Sequence, residues 1–464
     1  MKLLRSLLCT VVLCAFSLSA YGQDTADRLN MLEKALNEQA KIIEEQQKTI
    51  NELKEQMKKE QAKTEQAPTV QAKTAQPEDI STLASKVTGL FGGALMTNPY
   101  LSVVLDAKGY VSNLKNSALN KRGVPGFTSE TNGLKNGFNT DGAEFFVFAP
   151  VDPYFDVYVN VPINGDGAAF EEGYFVTTSL PEGLQVKGGR FKSNTSRLNA
   201  QHPHAWDFVD IALPYKAFLG GEGIGGENGV QLTWLPPLPV YTLLGVEVLQ
   251  GDNPLLFGND DNWGPHAFTG FAKVSIDTTE NSTLFAGPWA MFGSTNSTST
   301  LPPNGTFGNS FQMRGSSSLY GMEAVWKWKS GKQGVTLQGE YLYLAQNGDL
   351  SETDTTGALV STNHLHRSQD GAYIQALYRY DRWRVGGRYD LLNVFTDTFK
   401  LDDVQQTSGH QPWRASGILE FDPTEFSTIR AQFTADHSVP NQRVNFEGIL
   451  QVLFTIGAHP AHTF

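Results

Sequence analysis

The densest run of groups able to hold an ion is Gln201-His-Pro-His-Ala-Trp-Asp-Phe-Val-Asp210. His202 and His204 are two apart, so in an extended segment both imidazoles project to one side. Asp207 and Asp210 add carboxylates three and six residues after His204. Neutral imidazole with carboxylate suits tetrahedral Zn²⁺ through nitrogen and oxygen ligands. The same residues also describe a loop knitted by His–Asp hydrogen bonds, with Trp206 and Phe208 wedged against a wall. His459 and His462 close the chain and would join that cluster only if the loop folds deep inward. A third pair, His364 and His366, reads as part of a solvated polar loop. Asp436-His437-Ser438 has the composition of a catalytic triad, but sequence neighbours cannot face one another in a charge-relay geometry. With no Walker-type glycine loop either, the chemistry on offer is binding, and no enzyme is expected.

The elements that must position these groups follow from a period of two. After Asp381, Arg382, Arg384, Gly386, Arg388 and Asp390 alternate with Trp383, Val385, Gly387, Tyr389 and Leu391, on opposite faces of a strand. Arg430 alternates in the same way with Ile429 and Ala431, and Lys327 with Trp326 and Trp328. Such segments recur from Asn98 onward, each about 9–11 residues long, as tilted membrane-crossing strands require. In lipid, only a closed barrel satisfies every strand N–H and C=O without an exposed edge. The fold expected is therefore all-β, a transmembrane antiparallel barrel of about 16 strands over 87–464. Arg382, Arg384, Arg388 and Arg430 are its expected pore-lining cations, and the aromatic alternates face lipid.

Sixteen segments carry this pattern, starting near 98, 142, 154, 168, 184, 229, 240, 267, 282, 319, 334, 371, 382, 412, 426 and 443. Their connections alternate between short turns and long loops, as in outer-membrane barrels with short periplasmic turns, except that the outer connections 164–167 and 437–442 are short. The long ones are 113–141, 193–228, 251–266, 293–318, 346–370 and 392–411. Composition agrees: 45 glycines, 11% aromatics and 18% charged residues suit banded strands, and mean hydropathy is −0.29. Residues 1–22 read as a secretory signal, with Lys2 and Arg5 ahead of an apolar stretch and Ala20-Tyr-Gly22 as the cleavage site. Both cysteines, Cys9 and Cys14, fall inside it, which leaves the remainder without disulfides or thiolate ligands. The net charge of −12 becomes −14 once Lys2 and Arg5 are removed, and such an acidic chain does not suit nucleic acid. Residues 24–62 read as a coiled coil, with Leu29, Leu36, Ile43, Ile50 and Met57 at one heptad position. The stretch 63–86, rich in Ala, Gln, Thr and Pro, reads as a linker.

Several motifs are familiar together: Asn98-Pro-Tyr-Leu-Ser-Val-Val-Leu-Asp106, Gly189-Arg-Phe191, and Leu198-Asn-x-Gln-His-x-His-x-Trp-Asp-Phe-Val-Asp210. With Tyr215-x-Ala-Phe-Leu-Gly220 and Gly457-Ala-His-x-Ala-His-x-Phe464, the chain resembles zinc-regulated outer-membrane receptors, or porin-like proteins, of Gram-negative bacteria. The architecture is also similar to trimeric porins with an N-terminal coiled coil, of the dicarboxylate- and phosphate-selective kinds. A TonB-dependent receptor would need a plug domain ahead of a 22-stranded barrel, whereas here a coiled coil and linker are expected ahead of about 370 barrel residues. The resemblance implies a homotrimer in the outer membrane, its coiled coil in the periplasm and its third outer loop narrowing the pore. Small polar solutes or ions would pass. Two other readings stay open: Zn²⁺ capture at His202 and His204, and a structural anchor working through the coiled coil.

Overall fold

In the computed structural model the described residues are 99–457, except 132, 166, 222, 224, 259–263, 299, 306–307 and 441. The expected signal, coiled coil and linker, and the pair His459 and His462, lie outside the described residues. Of 18 hydrogen-bonded segments, Gly167–Ala168 and Val404–Gln405 are two-residue pieces on loops, and the remaining 16 form one antiparallel wall. In chain order these are β1 (Tyr100–Ser112), β2 (Gly137–Asp152), β3 (Phe155–Asn164), β4 (Glu172–Thr177) and β5 (Leu184–Lys192). Next come β6 (Gly226–Trp234), β7 (Tyr241–Leu249), β8 (Ala267–Thr279), β9 (Ser282–Ser297), β10 (Ser310–Ser330) and β11 (Gln333–Thr353). The last five are β12 (Leu359–Tyr380), β13 (Trp383–Leu401), β14 (Trp413–Thr424), β15 (Ser427–His437) and β16 (Asn445–Gly457).

Each strand pairs with its sequence neighbour, and β1 also pairs with β16 from Ser102↔Gly457 to Ser112↔Glu447. That last ladder closes the barrel and removes the edge. An unpaired backbone group in hydrocarbon costs several kcal/mol, so closure is what lets this apolar exterior exist in lipid. The exterior is apolar at the positions the alternation indicates: Trp383, Val385, Tyr389, Ile429, Phe433, Phe446, Leu450 and Phe454 are all exposed. Such an uninterrupted band has no place on a water-soluble monomer. Tyr378, Tyr380, Trp383 and Phe426 gather near the short turns, as an interfacial girdle does. Among the described residues no helix is long and apolar enough to cross a membrane.

The sixteen expected segments are all present, and β5 has the expected bounds. The wall is, however, uneven. Strands β10 to β13 run 21, 21, 22 and 19 residues, against 6 to 10 for β3 to β7. Stretches expected as loops at 293–318, 346–370 and 392–411 are therefore largely strand, and His364 and His366 lie in β12 rather than in a loop. Beyond the bilayer there is no lipid to demand apolar alternates, so polar runs such as Ser316-Ser-Ser318 extend the sheet without the membrane pattern. The β11–β12 connection shrinks to five residues, 354–358, with Asp354 Oδ1 accepting from Thr356 N (2.8 Å) and Ala358 N (2.9 Å).

The core lies inside the barrel. The connection 193–225 carries a short helix, α1 (Leu213–Phe218), whose six residues are all buried. Tyr215 and Phe218 pack with inward-facing Phe271, Trp289, Leu319, Leu342, Tyr373 and Leu392. On β12, Gly371 gives α1 its room: a Cβ there would stand 3.1 Å from Pro214 Cβ and 2.8 Å from Leu392 Cδ2. A buried carboxylate fixes the helix, with Glu340 accepting from Tyr215 Oη (2.7 Å) and Trp289 Nε1 (2.8 Å).

Candidate functional site

The connection 193–225 crosses the lumen between two charged stretches of wall. On one side its aspartates meet arginines. Asp207 Oδ1 accepts from Arg384 Nη1 (2.5 Å), while its Oδ2 accepts from Gln375 Nε2 (2.8 Å) and lies 3.6 Å from Arg197 Nη1. Asp210 is held by Arg388 Nη2 (2.9 Å) and Arg414 Nη1 (2.7 Å), and Gln432 Nε2 adds a bond of 2.7 Å. Those arginines share further carboxylates. Asp390 pairs with Arg388 (3.2 Å) and Arg414 (3.0 Å), and Glu420 binds Arg384 and Arg430 at 2.7 Å each. The Arg388 guanidinium also sits 4.6 Å over the Phe208 ring. Burial by itself would raise the Asp210 pKa, but Arg414 and Arg388 outweigh it and hold the carboxyl at about 2. Burial opposes ionisation of Asp207 too, and Arg384 and Arg197 again win, keeping it below its ordinary value.

On the other side the histidines meet glutamates. His202 Nε2 donates to Glu172 Oε2 of β4 (2.7 Å), and its Nδ1 lies 3.0 Å from Glu144 Oε1 of β2 and 3.5 Å from Glu171 Oε2. His204 Nδ1 donates to Glu144 Oε2 (2.7 Å). Asn160 of β3 donates from Nδ2 to Glu144 Oε1 (2.7 Å) and Glu171 Oε2 (3.1 Å). Lys192 Nζ stands 3.2 Å from Glu171 Oε1, and the Lys192 N–H donates to Glu172 Oε1 (2.6 Å). For His202, burial favours the neutral ring, yet bonds to Glu144, Glu171 and Glu172 raise its pKa well above 6.5.

The four candidates of the 201–210 run are thus parted: His202 and His204 go to the acidic wall, Asp207 and Asp210 to the basic one. Of the expected pore-lining arginines, Arg384, Arg388 and Arg430 point inward within these networks. Arg382 sits in the two-residue turn after β12, exposed, donating to the Pro423 carbonyl (2.8 Å). Asp381 takes φ +56° there, the left-handed conformation that such tight turns use. Asp436 binds Arg122 (3.0 Å) and accepts from Ser438 Oγ (2.6 Å), so these residues make a local ion pair and turn rather than a relay. Glu144, Glu171 and Glu172 are not among the candidates that the 201–210 run indicates, although paired carboxylates beside an otherwise aromatic strand are a visible signal.

Against known proteins, no protein-family model matches the chain. A protein of Aquifex aeolicus (strain VF5), described only as an uncharacterized protein, is 37% identical over 389 residues, 79% of this chain and 80% of the relative. The chain belongs to that protein's family. Among solved structures, the outer membrane channel DcaP of Acinetobacter baumannii is similar with a TM-score of 0.50 and 12% identity, over 77% of this chain and 96% of DcaP. An anion-selective porin from Comamonas acidovorans gives a TM-score of 0.48 and 10% identity, over 77% of this chain and 99% of that one. OprB of Pseudomonas putida gives 0.45 and 11%, over 77% and 94%. At such identity the DcaP likeness establishes a shared barrel fold and nothing about cargo.

Proposed function

We propose that this protein is an outer-membrane porin, passing small polar solutes or ions by diffusion rather than catalysing a reaction. The observation that carries this reading is the connection 193–225, which lies across a closed barrel and is tied on both sides by charged groups. A connection so fixed leaves a constriction lined by charge, the device by which channels select. Inward Arg384, Arg388, Arg414 and Arg430 are matched by Asp207, Asp210, Asp390 and Glu420, so this side of the constriction is strongly polar without a large net charge and suits small polar solutes or ions. The heptad at 24–62, preceded by a signal at 1–22, supports a trimer with a periplasmic coiled coil, as do the porin-like fold and the linker at 63–86. Purified full-length protein in a planar bilayer should give discrete conductance steps in threes. A folded barrel that never conducts would sink the channel reading. A monomer in native electrophoresis would remove the trimer alone.

A further inference from the structure

The acidic side of the constriction has the geometry of a cation pocket. His202 Nδ1, Glu144 Oε1 and Glu171 Oε2 converge, with edges of 3.0 and 3.5 Å at the imidazole, and the ligand atoms of all three residues lie within 4.8 Å of one another. A tetrahedral ion with bonds of about 2.0–2.1 Å needs ligand–ligand edges of about 3.3 Å. Glu172 takes the opposite ring nitrogen at 2.7 Å, so an ion that displaces the Nδ1 proton finds the ring already held from behind. That is how a carboxylate orients a metal-binding histidine from behind.

Hydrogen bonding points the same way. Asn160 Nδ2 stands 3.0 Å from His202 Nδ1, at the mouth of the space that Glu144 and Glu171 enclose. Asn160 is almost wholly buried with Oδ1 unpartnered, and turning its amide over would offer the pocket a neutral oxygen ligand.

We infer that Glu144, Glu171 and His202 form a site for a divalent cation of borderline softness, Zn²⁺ being the probe of choice. The site ties the 193–225 connection to the wall at β2 and to the residue preceding β4. It goes beyond the channel reading, because it stands whether or not the barrel conducts. The test is calorimetry with Zn²⁺ on metal-stripped, detergent-purified full-length protein, with Co²⁺ absorption as an independent report of ligand type. Saturable binding of one ion per chain is expected. Glu171→Gln and His202→Ala should each weaken it about 100-fold or more, and Glu172→Gln about 10- to 100-fold. His364→Ala should leave it unchanged. Foldedness of each variant is read from heat-modifiable migration, and Glu171→Gln, which lies off the strands, remains informative if His202→Ala misfolds. No saturable heat with folded wild type would overturn the site and leave the cluster as a hydrogen-bonded tie of the connection to the wall. Unchanged affinity in Glu171→Gln would place the ion elsewhere and overturn it equally. Conductance of the zinc-free protein separates the two readings: a conducting, zinc-blind protein loses only the site, and a zinc-binding, silent one loses only the channel.

Discussion

The two sides of the lumen-crossing connection are both charged clamps, but they are built from different materials. At β13 to β15, Asp207 and Asp210 meet Arg384, Arg388 and Arg414, guanidinium groups that stay charged in any physiological medium. At β2 to β5, the glutamates outnumber Lys192, and the balance depends on what His202 and His204 carry. One side is a permanent anchor and the other a conditional one. A loop held this way keeps its position while the shape and charge of one flank respond to protons or ions.

The permanent side is where the largest effect is expected. Asp210→Ala leaves Arg388 and Arg414 with Asp390 as their shared ion-pair partner in a buried setting, a change that costs about 3–5 kcal/mol where a buried pair loses one partner. Thermal unfolding should fall clearly, and conductance should become larger and noisier as the connection loosens. A quiet, wild-type trace from Asp210→Ala would show that the arginine side is not the anchor. The pH dependence has a definite sign. The Asp210 carboxyl is depressed to about 2, so its contribution is present above its unfolded value near 3.8 and lost only as pH falls through about 2. Conductance noise should therefore stay low in acid down to about pH 3 as far as this clamp is concerned; Asp210→Asn, uncharged at every pH, should be noisy already at neutral pH.

The conditional side is sharpened by Gly226, at the start of β6. A Cβ there would lie 1.8 Å from the Glu171 carbonyl oxygen, so the backbone carrying Glu171 must yield. Gly226→Ala should cost about 1–3 kcal/mol, in the range of other overpacking changes. Its signature is a lost zinc response with the arginine clamp intact. A milder change, Glu144→Gln, weakens the contacts to both histidines and should cost about 1–3 kcal/mol or less. If Glu144→Gln destabilises more than Asp210→Ala, the ranking of the two sides is reversed.

How much of this was legible in the chain depends on the range of the interaction. Period-two alternation is local, so Trp383, Val385 and Tyr389 announce a lipid face, and Arg384 and Arg388 the lumen, without knowledge of their neighbours. The extension of β10 to β13 was not legible, because outside lipid the alternation has no cause to persist. Nor was the parting of 201–210: Glu144 lies 60 residues before His204, and Arg384 lies 177 after Asp207. Barrel closure alone brings them together. The inward apolar patch of Phe271, Trp289, Leu319 and Leu342 was hidden for a related reason. A polar lumen was the natural expectation, and those residues are inward because α1 needs a surface to pack on.

The smallest effect is expected on the tall side of the wall, which carries the remaining histidine pair. His364 Nδ1 lies 3.4 Å from Asp349 Oδ1, and both side chains are more than half exposed. Exposed ion pairs contribute about 0–1 kcal/mol and are screened by salt, so His364→Ala should leave unfolding within about 0.5 kcal/mol of wild type. The backbone of His364 keeps its own bond, its N–H donating to Asp402 Oδ1 at 2.8 Å, so the β12–β13 ladder is undisturbed by the change. Conductance and zinc response should likewise match wild type, since neither clamp touches this part of β12. A shift in zinc affinity or channel noise from His364→Ala would mean that the extended hairpins bear on the constriction. The contrast between a permanent and a conditional clamp would then have to be redrawn to include a third support.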